Sequence, residues 1–156
     1  MAKINFSETL TLASDKVSRN IYLQSISQGC MSMLPVVIIG SFASLFSGLP
    51  VNFWQNFIQS TGISGILAAV VSATTNMVGV FFTYGVASAY AEKLKITNKV
   101  AVILALVVYI ALLPTATLDT GTTTPSTSYM GTSGMIVGFL LAFLTVRLYM
   151  AIVDAN

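Results

Sequence analysis

Residues 20–91 read NIYLQSISQGCMSMLPVVIIGSFASLFSGLPVNFWQNFIQSTGISGILAAVVSATTNMVGVFFTYGVASAYA, 72 positions without one Asp, Glu, Lys, Arg or His. A charge at a bilayer centre costs about 2.5 to 3.5 kcal/mol even on the mildest insertion scale, so a segment that lives in lipid excludes charge. A segment folded in water has no cause to do so. About 20 apolar residues cross a bilayer, which leaves the run room for two crossings and the turn-forming residues between them.

The rest of the chain agrees. It is 55% hydrophobic and 8% charged, with a mean hydropathy of +0.85, against about 45 to 50% and about 25% in soluble domains. The net charge of +2 is too small for a nucleic-acid binder. Cys30 is the only cysteine, so no internal disulfide forms. The first 20 residues lack the compact apolar core of a signal peptide, and the N-terminus is expected to be mature.

The hydropathy pattern predicts an all-α, polytopic membrane protein with four transmembrane helices behind an amphipathic interfacial helix. The leading segment, residues 1–24, places Phe6, Leu10, Ala13, Val17 and Ile21 at three- and four-residue spacing, with Glu8, Asp15, Lys16 and Arg19 elsewhere around the helix. The membrane region, residues 25–156, divides into spans at about 25–48, 63–90, 100–118 and 134–152. Pro35 is expected to kink the first. Residues 50–62 mix Asn52, Trp54, Gln55, Asn56 and Gln59 with apolar residues, which suits a loop or short helix at the surface with Trp54 at headgroup level. Pro114 threatens the end of the third span, and residues 115–133 are rich in Thr, Ser and Gly, the composition of a loop. Asp119 there reads as a turn cap or a solvated charge.

Lys3, Lys16 and Arg19 precede the first span, Lys93, Lys95 and Lys99 join the second to the third, and Arg147 ends the fourth. With four crossings all seven basic residues fall on one side, so both termini are expected in the cytoplasm.

Three groups of residues resemble the lactose/cellobiose/diacetylchitobiose type of membrane IIC component in bacterial phosphotransferase-system sugar permeases. NIYLQSISQG at 20–29, followed by MLP at 33–35 and IGS at 39–41, is similar to the family's start; FTYGVASAYAEKL at 82–94 is similar to its second-helix end. YMGTSGM at 129–135 and VRLY at 146–149 are similar to the beginning and end of its fourth helix. The resemblance implies the N-terminal part of such a permease, the half that builds the dimer contact and frames a moving sugar-binding half. It further implies a β-linked disaccharide as substrate, separate IIA and IIB partners that carry phosphoryl transfer, and the bacterial inner membrane. In that family the sugar-contacting His and Glu residues lie in the second half; this chain has no His and no acidic residue within a predicted span. A different class of reading stands beside it: a stand-alone four-helix membrane protein that assembles as a pore or interaction partner without sugar transport.

Few residues carry chemistry. GCMS at 29–32 superficially resembles the phosphocysteine loop of a IIB component, but no basic residue lies nearer than Arg19 to make the Cys30 thiol reactive, and a small buried hydrophobe is the better reading. Thr74, Thr75 and Asn76 form a polar cluster midway along the second span, suited either to a sugar hydroxyl or, as we favour, to hydrogen bonds between helices. Gly40, Ser44 and Gly48 on the first span, and Gly134, Gly138 and Ala142 on the fourth, recur every four residues and let backbones approach closely, within one chain or across a dimer. No metal-ligand cluster, nucleotide-binding loop or catalytic set is present, so no cofactor is expected and the chain reads as a transporter component rather than an enzyme.

Overall fold

A computed structural model of the chain describes residues 19–117, 123–126 and 129–154. The amphipathic helix expected over residues 1–24 lies outside them as far as residue 18, and so does Asp119.

Helix α1, Ile21–Ser47, starts earlier than the apolar pattern suggests. Asn20 is extended and its side chain accepts the Tyr22 N–H at 3.0 Å, a helix N-cap that brings residues 21–24 into the first span. The helix continues through Pro35 and ends at Gly48, whose N–H reaches the Ser44 carbonyl at 2.9 Å. Helix α2, Asn52–Ser60, then folds back over that end. Trp54 donates its indole N–H to the Phe46 carbonyl at 2.7 Å, and the Gln55 amide donates to Ser47 and Leu49 at 3.0 and 2.9 Å. The last carbonyls of a helix have no partner of their own, and here a neighbouring helix supplies them. Gly62, at φ 75°, makes the left-handed turn into α3, Ile63–Thr74.

The second span is not one helix. It is α3, a single 3-10 turn at Thr75–Met77, and α4, Val78–Lys93. Helix α4 is the centre of the molecule, touching α1, α5 and α6. It is buried on several faces, through Val78, Thr83, Val86, Ala87 and Tyr90 among others. Its contact with α1 is a backbone crossing. A Cβ on Gly29 would stand 2.5 Å from the Val86 nitrogen, and one on Gly85 would stand 2.5 Å from the Gly29 carbonyl oxygen. Lipid supplies no hydrophobic drive for helix association, so such close approach and its dispersion energy hold the pair.

Beyond a turn in which Lys95 takes φ 58°, α5 runs Val100–Ala111. The third span, expected to reach residue 118, is therefore helical only to Ala111. Pro114 forbids continuation, and the Thr-rich segment expected as loop forms a two-stranded antiparallel ribbon, β1 (Thr115–Thr117) and β2 (Thr123–Pro125), with Ala116 opposite Thr124. A second 3-10 turn, Thr132–Gly134, leads into α6, Met135–Asp154.

The core gathers at one end, where Tyr22, Tyr90 and Phe143 stack with ring centroids 4.9 to 5.5 Å apart above Ala101, Ala105, Ala142 and Val146. Polar contacts mark the same end: Lys93 donates to Gln24 at 2.8 Å, Gln28 to Glu92 at 3.4 Å and Asn98 to the Tyr149 hydroxyl at 3.2 Å. Elsewhere large apolar side chains such as Ile39, Phe42, Ile66, Ile103, Leu140 and Ile152 face outward. Among the described residues, Ile21–Ser47, Ile63–Lys93 and Thr132–Val153 are long and apolar enough to cross a membrane, and Val100–Ala111 is a shorter apolar helix.

Candidate functional site

The two 3-10 turns face one another. Thr75–Met77 interrupts the second span, Thr132–Gly134 opens α6, and between them lies an open cavity of about 480 Å³ with a mixed polar and apolar lining. Its walls are Ser72, Thr75, Asn76 and Met77 on one side and Met130, Gly131, Thr132 and Ser133 on the other. Irregular backbone at membrane depth is tolerated where it lines a cavity, and here Thr75, Asn76, Thr132 and Ser133 are exposed to one. At about 1.5 Å of rise per residue, Asn76 and Ser133 stand ~25 Å along the bundle from the level of Lys93 and Tyr149.

Small residues make the juxtaposition possible. The Gly79 N–H, freed at the start of α4, donates to the Met130 carbonyl at 2.8 Å, and a Cβ on Gly79 would come within 2.6 Å of the Gly131 carbonyl oxygen. Gly134 leaves no room for a side chain against the Tyr129 carbonyl, and Gly138 none against the Thr83 hydroxyl. Tyr109, buried in α5, closes the seam by donating its hydroxyl to the Tyr129 carbonyl at 2.9 Å. Thr83 points its own hydroxyl at the Gly79 carbonyl, 2.7 Å away.

Each residue singled out from the sequence now has a place. Thr75 and Asn76 line the cavity, Thr74 donates to the Val70 carbonyl at 2.6 Å, and the hydroxyls of both Thr74 and Thr75 pack under Gly40. Gly40 thus meets the broken span of its own chain. Gly134, Gly138 and Ala142 all lie in intramolecular contacts, the last fully buried. Ser44 and Gly48 are exposed. Four-residue steps overshoot the 3.6-residue turn, so the stripe drifts off the inner face, which runs instead through Ser25, Gly29, Gly40 and Ala43. Cys30 is half-buried in α1. No group of His, Cys, Asp and Glu able to hold a metal occurs among the described residues.

Sequence reasoning missed Gly29, Gly79, Gly85 and Tyr109. Spacing reports only one helix at a time, and the partners of these residues lie on another. One signal was present: Tyr129, Gly131 and Gly134 punctuate the approach to α6.

Helices long enough to span a bilayer, packed through small residues around an interrupted span, define a multi-pass membrane protein. Comparison with known proteins narrows this. No family model matches the chain. The galactose-specific EIIC component of Lactococcus lactis is 21% identical over 96% of this chain and 37% of its own length. The lactose-specific EIICB component of Staphylococcus epidermidis is 30% identical over 91% of this chain and 25% of its own. The lichenan permease IIC component of Bacillus subtilis is 26% identical over the whole chain and 38% of its own length. The crystal structure of the transporter ChbC, the IIC component of an N,N'-diacetylchitobiose-specific phosphotransferase system, superimposes with a TM-score of 0.81 at 23% identity, covering 95% of this chain and 37% of that one. The chain therefore resembles part of a phosphotransferase-system IIC component over nearly its whole length, and it has the fold of that part. It spans 25 to 38% of the length of these curated relatives.

Proposed function

We propose that the chain is the scaffold-forming, N-terminal part of a phosphotransferase-system sugar permease of the bacterial inner membrane. The observation that carries this reading is similarity to sugar-specific IIC components along 91 to 100% of the chain. On this reading the sugar, a β-linked disaccharide, crosses through the complete permease, and phosphoryl transfer belongs to separate IIA and IIB partners. The chain itself forms a homodimer through exposed helix faces and supplies no catalytic group.

The proposed topology has four crossings with both ends cytoplasmic. Helix α5 is ~18 Å long against a hydrocarbon core of about 30 Å, so the third crossing is shorter than the others and the chain after Ala111 leads on to the outer surface. Lys93, Lys95, Lys99 and Arg147 then face the cytoplasm together with the three basic residues before α1. Impermeant-maleimide labelling of intact cells, in a Cys30→Ser background, tests this: Phe53→Cys on α2 reacts and Lys95→Cys does not. The reverse pattern overturns the orientation.

Function is tested by growth. The native reading frame that contains residues 1–156 is expressed in a strain lacking its own β-disaccharide permeases but supplied with IIA and IIB. Restored growth on lactose or cellobiose supports the permease. A protein that inserts and oligomerises but leaves the strain unable to grow on any β-disaccharide favours the stand-alone membrane protein.

A further inference from the structure

The cavity between the two 3-10 turns has a lining with a definite chemical character. None of its residues is charged. Five carry hydroxyl or amide groups: Ser72, Thr75, Asn76, Thr132 and Ser133. Thr74 and Thr83 satisfy their hydroxyls on helix carbonyls. All five are exposed and none has a side-chain hydrogen bond to another described residue, so water or a ligand can reach them, although the Thr75 hydroxyl also lies against Gly40 of α1. Each hydroxyl both donates and accepts, and an amide does the same with its two ends, which matches the hydroxyls of a sugar, and no charged lining residue is present to offset the charge of an ion. Met77 and Met130 add an adaptable apolar surface for the C–H face of a pyranose ring. The volume of about 480 Å³ lies within the range of small-molecule sites.

Rigidity is supplied from behind. The Gly79 to Met130 hydrogen bond and the Tyr109 to Tyr129 hydrogen bond tie the segment that leads into the second turn to α4 and α5, which limits how far that wall of the cavity moves when a ligand binds. We propose that this cavity is a binding site for a neutral polyhydroxylated ligand, a disaccharide entering from the outer face, and that Asn76 is its principal recognition residue. The site is formed by the scaffold part itself. Its assignment to disaccharides rests on the permease reading, while its preference for an uncharged polyol rests on the lining alone.

The test measures protection. In a Cys30→Ser background, Thr132→Cys and, separately, Ser72→Cys report access to the cavity through their rate of reaction with an impermeant maleimide on intact cells. Phe53→Cys, 80% exposed on α2, is the control. Cellobiose and lactose are expected to slow labelling of both cavity variants by the factor 1 + [sugar]/Kd, about threefold at twice the Kd, and to leave the control unchanged. Adding Asn76→Leu is expected to keep the sugar-free labelling rate and to abolish protection. Lack of reaction at both cavity positions while the control reacts overturns the proposal, as does labelling indifferent to sugar or protection that survives Asn76→Leu. Growth on the disaccharide with an unprotected cavity overturns this inference alone; a protected cavity without growth removes the permease reading and leaves the site.

Discussion

Gly29 and Gly85 illustrate how much of this fold depends on atoms that are absent. Each would drive a Cβ to 2.5 Å from the other helix's backbone, a contact that only helix displacement relieves. Gly29→Ala is therefore expected to cost about 1 to 3 kcal/mol, seen as a lower unfolding temperature in detergent. At Gly65 the sign reverses, because a Cβ there would meet nothing within 4 Å. Only helix propensity changes, so Gly65→Ala in α3 is expected to stabilise by up to about 1 kcal/mol. Lys95 holds φ 58°, a conformation that costs a side chain-bearing residue about 1 kcal/mol, so Lys95→Gly is expected to raise the unfolding temperature too. A Leu at Gly40 or Gly138 strikes Thr74 or Thr83 of the same chain, so its first effect falls on the monomer fold rather than on dimerisation. Which glycine meets which was invisible in the sequence. Helical spacing gives a residue's angle on its own helix and nothing about the neighbour.

The elements divide by the signal each left in the sequence. The first and fourth spans were legible because lipid enforces long apolar runs, and the Asn20 cap that starts α1 could have been read from an Asn before an apolar run. The break in the second span was half legible. Thr74, Thr75 and Asn76 stood out as polar, but Thr and Asn are tolerated inside membrane helices, and the partner that takes the Gly79 N–H just past the break, Met130, is 51 residues away in sequence. The ribbon of β1 and β2 escaped because Thr and Gly suit loops and short strands equally well. Two tests follow for the junctions. Tyr109→Phe leaves the Tyr129 carbonyl without its donor and is expected to cost about 1 to 2 kcal/mol, with faster maleimide labelling at Thr132→Cys as the seam loosens. Trp54→Phe removes the indole donor from the end of α1 and is expected to destabilise by about 1 kcal/mol without changing labelling in the cavity.

For the whole molecule, the apolar faces of α1, α5 and α6 and the polar layer around Gln24, Lys93 and Asn98 define an object that lipid surrounds and water meets at its ends. Its fold is that of part of a IIC transporter, with a TM-score of 0.81 over 95% of the chain. Close contacts and hydrogen bonds join α4, α5 and α6 along one seam. The most direct measurement is uptake of radiolabelled cellobiose or lactose by membrane vesicles carrying the protein encoded by the native reading frame, with phosphoenolpyruvate, the general relay proteins that pass its phosphoryl group to IIA, and IIA and IIB supplied. Phosphoenolpyruvate-dependent accumulation of the sugar as its phosphate is the expected result. Vesicles that contain the inserted protein yet accumulate no more of either sugar than vesicles without it would contradict the permease reading.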